Sequence, residues 1–249
     1  MSWRTNSNRR KKRRSDLLLT ERKAAPPWAA MVEHRMNRNF DKEMQNIMQE
    51  LGGKDEVPRL LLHSCCAPCS TVCLERLSEV FSVTVFYYNP NIYPEEEYRF
   101  RKAEQIEFIR RFPFRHPVSF LDADYDPQEF YAAVKGHERD PERGERCHIC
   151  YRLRLKKTAR AAAEGGFAYF TTTLTLSPLK DSRVLNAIGE EEAALVRETG
   201  QGDLCWLPTD FKKRNGFLRS CEITSAYGMY RQDYCGCVYS LRNGTEHGA

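Results

Sequence analysis

The stretch RLLLHSCCAPCSTVCLERLSEVFSVTVFYY, residues 59–88, decides the fold. Arg59 to His63 is a short apolar run, Pro68 to Phe81 carries apolar residues at helical spacing, and Val83 to Tyr88 is β-branched and aromatic. That order reads as strand, helix, strand, with three cysteines at the handover from the first strand to the helix.

The same alternation continues outward. Upstream, Met36, Phe40, Met44, Ile47, Met48 and Leu51 recur at three or four residues before Gly52-Gly53, which predicts an amphipathic helix with a stop. Downstream, helices are expected over 94–111, 127–135, 147–163, 180–198 and 217–227, and strands over 117–121, 167–172 and 205–207. Repeated strand–helix alternation predicts an α/β fold, a Rossmann-like parallel sheet with helices on both faces and sites at the carboxyl ends of strands. The expected organisation is a flexible basic leader over 1–35, one catalytic domain over 36–242 and a tail over 243–249.

The chain has 249 residues and a net charge of +5, but residues 1–14 alone hold seven basic side chains and no acid. Without them the balance is −2, so the body has no broad cationic field and any nucleic-acid contact must come from local patches. No apolar run is long enough to span a bilayer and no secretory leader is evident, so a cytoplasmic protein without membrane contact is expected. In that setting ten cysteines point to metal ligation or redox chemistry rather than a disulfide framework.

Seven of the cysteines fall in three groups: Cys65, Cys66 and Cys69 after the first strand; Cys147 and Cys150 at a helix start; and Cys235 and Cys237 near the end. Residues three apart share a helix face, and residues two apart share one side of an extended segment, so each pair can clasp one centre. Adjacent side chains on extended backbone point apart, which predicts that Cys65 and Cys66 serve different centres. A cubane and a structural zinc each take four thiolates, so the count also predicts two centres, a [4Fe-4S] cluster and a second metal. Helix N-termini near Pro68 and Cys147 should favour the thiolates. Cys73, Cys205 and Cys221 stand alone and read as small buried hydrophobes, and His63 and His148 as core or surface histidines.

The motifs His63-Ser-Cys-Cys-Ala-Pro-Cys69, Tyr88-Asn-Pro-Asn-Ile-Tyr-Pro94, Cys147-His-Ile-Cys-Tyr-Arg152, Thr171-Thr-Thr-Leu-Thr-Leu-Ser-Pro178 and Tyr230 through Ser240 together resemble the cobalamin-independent epoxyqueuosine reductases of tRNA modification. The resemblance implies an adenine nucleotide alpha hydrolase-like α/β fold, a [4Fe-4S] cluster with an adjacent second iron and no cobalamin. It carries over Cys65, Cys66, Cys147, Cys150, Cys235 and Cys237 as metal ligands, with Cys69 as a ligand of the second metal. The implied reaction removes the epoxide oxygen of epoxyqueuosine at the wobble position of a tRNA anticodon loop, with electrons from a donor such as ferredoxin or flavodoxin. The Ser-Gly-Gly-x-Asp-Ser loop of related ATP pyrophosphatases is absent, so ATP is not required.

A splayed wobble base needs aromatic and polar contacts. Tyr88, Asn89, Asn91 and Tyr93, past the second strand, are the candidates, and Arg152 heads a basic run (Arg154, Lys156, Lys157, Arg160) that could grip phosphates. Lys212, Lys213 and Arg214 are a second basic group. Asp181 and Asp233, or Tyr234 or Tyr239, are candidates for the general acid. Two rival classes are a thiol or heterodisulfide-type redox protein and a zinc-stabilised RNA-binding module.

Overall fold

A computed structural model describes residues 38–53 and 55–241. The expected leader over 1–35 and tail over 243–249 lie outside the described residues. The elements run α1 (Phe40–Leu51), β1 (Arg59–His63), α2 (Ala67–Leu77), β2 (Ser82–Tyr87), α3 (Glu95–Arg111), β3 (Val118–Asp122), α4 (Pro127–Ala133), α5 (Glu145–Glu164), β4 (Tyr169–Thr172), a 3₁₀ turn (Thr173–Leu176), α6 (Ser182–Glu198), β5 (Cys205–Trp206), α7 (Gly216–Ala226) and α8 (Val238–Leu241). All five strands pair in parallel in the order β3-β2-β1-β4-β5.

The parallel α/β sheet is the one the alternation predicts. Chain order runs outward from β1 through β2 to β3, then returns to β4 on the other side of β1. The topological switch therefore lies between β1 and β4, where a doubly wound sheet opens a crevice at its carboxyl edge. The cysteine segment begins two residues after β1, at that crevice.

Alternation along β1 builds the two halves of the core. Leu61 packs with Leu155, Phe170, Leu185 and Trp206 on the side of α5 and α6, while Leu60 and Leu62 pack with Met44, Val72, Leu74 and Phe211 on the side of α1 and α2. Asn186 of α6 is the polar tie across the first half. Its Oδ1 accepts from Trp206 Nε1 and from Thr209 N, each at 2.9 Å, and its Nδ2 donates to the carbonyls of Ser182 and Thr209. All its hydrogen-bonding capacity is met inside the core, as burial demands.

Boundaries differ from the sequence reading where local caps intervene. Asn39 caps α1 by accepting from Lys42 N, and Asp181 caps α6 by accepting from Arg183 N, so both helices start later than periodicity suggests. The 3₁₀ turn and the four-residue α8 carry too few residues for a periodic signal. Cys73 is buried as expected, but Cys205 is exposed on the short edge strand β5 and Cys221 is half-buried on α7. Lone position in an apolar stretch does not tell which face of an element a residue takes. Among the described residues no helix is long and apolar enough to cross a membrane.

Gly189 of α6 lies flat against the Trp206 indole, and a Cβ there would meet ring atoms at 2.2–2.4 Å. Gly189→Ala should gain about 1 kcal/mol of helix propensity and lose about 2–3 kcal/mol to overpacking, lowering the melting temperature by roughly 2–8 °C. Thermal unfolding followed by circular dichroism checks this, and an unchanged or higher melting temperature would contradict the packing described.

Candidate metal centre

At the end of β1 the backbone turns at Cys65, and extended Cys66 (φ −173°, ψ 161°) becomes the N-cap of α2. Cys69 follows one turn into that helix. The turn brings the vicinal sulfurs together instead of apart: Cys65 Sγ and Cys66 Sγ are 3.7 Å apart, and the sulfurs of Cys65, Cys66 and Cys69 all lie within 4.8 Å of one another. Strand alternation stops at this bend, so the Cys65 and Cys66 side chains do not point apart, and the geometric ground for expecting them to serve different centres falls away. Bonds of about 2.3 Å at tetrahedral angles put ligand sulfurs about 3.8 Å apart, so this trio has the spacing of ligands on a single ion.

The trio's protons are shared unequally. Hydrogen bonds from Cys66 and Cys69 hold the Cys65 thiol well below its ordinary range, while burial and the neighbouring Cys65 push Cys66 up to about 12. Cys69, tied into hydrogen bonds with Cys65 and Cys66 and buried, is also raised. Gln232 Nε2 donates to Cys66 Sγ at 2.7 Å. This contact brings the Tyr230–Ser240 segment onto the trio, and no spacing rule would have picked Gln232 from the sequence.

Cys147 and Cys150 sit in the first two turns of α5, and Cys235 and Cys237 on the turn before α8. Cys150 and Cys237 are buried together beneath Phe130 and Val134. Burial is the main cause that raises the Cys147 thiol and pushes Cys150 up to about 12, and Cys235 and Cys237 add to both. The four thiols are thus within electrostatic reach of one another. Among the described residues no second trio of Cys, His, Asp or Glu closes within 4.8 Å, so this quartet is the more open set. Gly236 permits the turn: its φ is +106°, and a Cβ would come within 3.0 Å of Arg101 Nη1 and 3.1 Å of Ile92.

Two buried guanidinium groups face the sulfurs. Arg154 is 1% exposed, donates from Nε to the Cys150 carbonyl at 3.2 Å, and leaves Nη2 without a partner. Arg101, also 1% exposed, pairs with Glu97 at 2.7 Å, stacks on Tyr234 and leaves Nη2 unpaired. Burial opposes both charges, yet both are held above the ordinary arginine range, Arg154 by Cys150, Cys235 and Cys65 and Arg101 by Cys66 and Glu97. Seven thiols with spare buried N–H donors around them fit a thiolate-bound, net anionic metal group. Arg154 is thus not the phosphate grip its place in a basic run suggested.

Residues 60–243 match the family described as epoxyqueuosine reductase QueH. Relatives of that description include those of Streptococcus pyogenes serotype M1, 42% identical over 207 residues (82% of this chain and 78% of that protein), and Haemophilus influenzae, 41% identical over 198 residues (79% and 77%). A third, from Staphylococcus epidermidis, is 38% identical over 206 residues (81% and 84%). The chain belongs to the epoxyqueuosine reductase QueH family.

Beside the cysteines of this QueH family member opens a cavity of about 500 Å³ lined by Cys65, Cys69, Cys235, Lys180, Asp233 and Tyr234, among others. Of the predicted substrate contacts, Tyr88, Asn89 and Asn91 are buried in the scaffold. The Tyr88 hydroxyl donates to Glu129, and Asn89 Nδ2 donates to the Ser64 carbonyl at 2.8 Å. Tyr93 is exposed, and its carbonyl accepts from the Tyr234 hydroxyl. Arg152 is pinned by Glu191 and Glu192 in a separate groove between α5 and α6. Lys212 pairs with Asp210, and Arg214 with Asp41. The Asp181 carboxylate caps α6 and pairs with Arg183, which holds it below the usual carboxylate range, whereas Asp233 lines the cavity. The sequence reading missed Lys180, the residue just before the cap. His63 is a core histidine: burial lowers it to about 3, so Nε2–H donates to the Tyr88 carbonyl while Nδ1 accepts from the Thr172 hydroxyl.

Because Cys66 and Cys69 are protonated at neutral pH, a metal that binds the trio must displace two protons. Apparent affinity of the metal-free protein for Fe²⁺ or Zn²⁺ should rise with pH, by up to roughly a hundredfold per unit. Competition titrations against a chelator between pH 6 and 8 check this, and a pH-independent affinity would contradict thiol ligation.

Proposed function

We propose that this family member reduces the epoxide of epoxyqueuosine at the wobble position of tRNA in the cytoplasm, with the Cys65–Cys66–Cys69 trio holding one iron ion and Cys147, Cys150, Cys235 and Cys237 holding a [4Fe-4S] cluster. The observation that carries this reading is the meeting of two unlike cysteine sets, one close and one open, at the switch-point crevice. When bound, such groups supply single electrons and an open Lewis-acid position, with no need of cobalamin.

The chain's own residues supply the rest. Arg101 and Arg154 hold positive charge against the thiolates from within the protein, where low dielectric strengthens the attraction. Gln232 fixes the Cys66 sulfur, and the Ser64–Gln105–Ser70 chain of hydrogen bonds, at 2.7 and 2.9 Å, staples α3 to the loop that carries the trio. The cavity is open to solvent, so a base swung out of a single-stranded loop can enter while the rest of the loop stays outside, with Asp233 and Tyr234 in its lining and exposed Tyr93 bonded through its carbonyl to the Tyr234 hydroxyl. A one-electron carrier of the ferredoxin or flavodoxin type supplies the reductant.

Anaerobic protein supplied with dithionite-reduced carrier should convert epoxyqueuosine-tRNA to queuosine-tRNA, read by mass spectrometry of digested nucleosides. Cys235→Ser should lose most of the cluster absorbance and lower turnover at least a hundredfold, while Cys205→Ser, at an exposed edge-strand position, should leave both unchanged. Full turnover by the colourless, iron-free protein would overturn the reading.

A further inference from the structure

Lys180 stands in the cavity wall with its ammonium unpaired. Among the described residues no carboxylate or carbonyl accepts from Nζ, although the neighbouring basic side chains all have partners: Lys212 with Asp210, Arg183 with Asp181 and Arg231 with the Ser220 and Thr224 hydroxyls. The backbone that carries it is fixed. Lys180 N donates to the Ser177 carbonyl at 3.2 Å, its own carbonyl accepts from Lys212 Nζ at 3.3 Å, and the next residue caps α6. The charge faces Cys235, Cys65, Tyr151 and Cys69, and these neighbours hold it above the ordinary lysine range against the opposing effect of burial. A cation without a protein partner, on a rigid turn, beside the sulfurs and open to a cavity of about 500 Å³, is placed to meet a group that arrives with substrate.

We propose that Lys180 is a catalytic residue that donates a hydrogen bond to the epoxide oxygen and stabilises the negative charge which develops there as the ring opens. This rests on the reductase reading above. Both C–O bonds of the epoxide break, a C=C bond forms between its two carbons, two electrons enter from the one-electron carrier, and two protons taken up from water leave with the oxygen as one water molecule. Negative charge gathers on oxygen between the two bond cleavages, and a positive charge already standing in the cavity wall is worth most at that moment. The Asp181 carboxylate, turned outward to Arg183, cannot donate there.

The test compares Lys180→Met and Lys180→Arg with the parent holoprotein. Lys180→Met should lower kcat by about 10²- to 10³-fold, the usual cost of one fixed donor to a developing oxyanion, while Lys180→Arg keeps most of it. Iron and sulfide content should stay at parent values. The metal-free Lys180→Met protein should also lose its preference for an anticodon stem-loop that carries epoxyqueuosine over one that carries queuosine. A changed iron content, with that preference intact, would overturn the proposal and leave Lys180 a support of the metal site alone. Full kcat in Lys180→Met would overturn it outright. If the parent protein itself fails to reduce epoxyqueuosine-tRNA, the reductase reading fails first, a result distinct from either of these.

Discussion

Buried thiolates need positive charge close by, and the arrangement of Arg101 and Arg154 around the cysteines meets that constraint. An isolated anion in a protein interior is so unfavourable that it gives up its charge, and burial accordingly pushes the Cys66 and Cys150 thiols up. The guanidinium groups carry the complementary cost, being buried with an N–H left unpaired. Neither set is well placed alone, and a negative metal–thiolate group held by the cysteines would offset both costs. Helices α2 and α5 add their N-terminal ends, since Cys66 caps the first and Cys147 lies in the first turn of the second.

The fold brings these pieces to one place with short connections. β1 delivers the trio to the switch point, α5 delivers Cys147, Cys150 and Arg154, and α3 delivers Arg101. The Tyr230–Ser240 segment then closes over them through Gln232 on Cys66, the Tyr93 N–H donating to the Gly236 carbonyl, and the Tyr234 hydroxyl on the Tyr93 carbonyl. The motif at 88–94 is thus largely scaffold, since Tyr88 and Asn89 support the cysteine loop from beneath and Tyr93 alone of the four predicted contacts reaches solvent. The Tyr88 hydroxyl and Asn89 Nδ2 serve the protein itself, while Asn89 Oδ1 and Asn91 Oδ1 are buried without a partner among the described residues.

The parallel sheet was legible because its signal is periodic: the apolar run of β1, the helical spacing after Pro68 and the β-branched run of β2 each repeat often enough to read. The cysteine grouping was legible for a similar reason, that spacing of two and three has direct geometric meaning. What escaped were features that depend on a single turn or on distant partners. Strand alternation read across Cys65 and Cys66 points their side chains apart, whereas the bend at Cys65 brings the two sulfurs together. Arg154 looked like an exposed member of a basic run, yet α5 turns that position inward to Cys150 while Arg152, two residues earlier, points out to Glu191 and Glu192. Asp181 reads as a candidate general acid for its chemistry, but a carboxylate at the start of a helix is first a cap.

The central claim is that two separate metal groups share this pole of the sheet, a single ion on the close trio and a cluster on the open quartet. Mössbauer spectroscopy of protein grown on iron-57 and purified anaerobically tests it most directly, because the two kinds of iron give different subspectra. The account predicts a cubane signal together with a mononuclear, thiolate-bound high-spin site that accounts for about one-fifth of the iron. A spectrum that shows only the cubane, or a trio filled stoichiometrically by zinc, would contradict it.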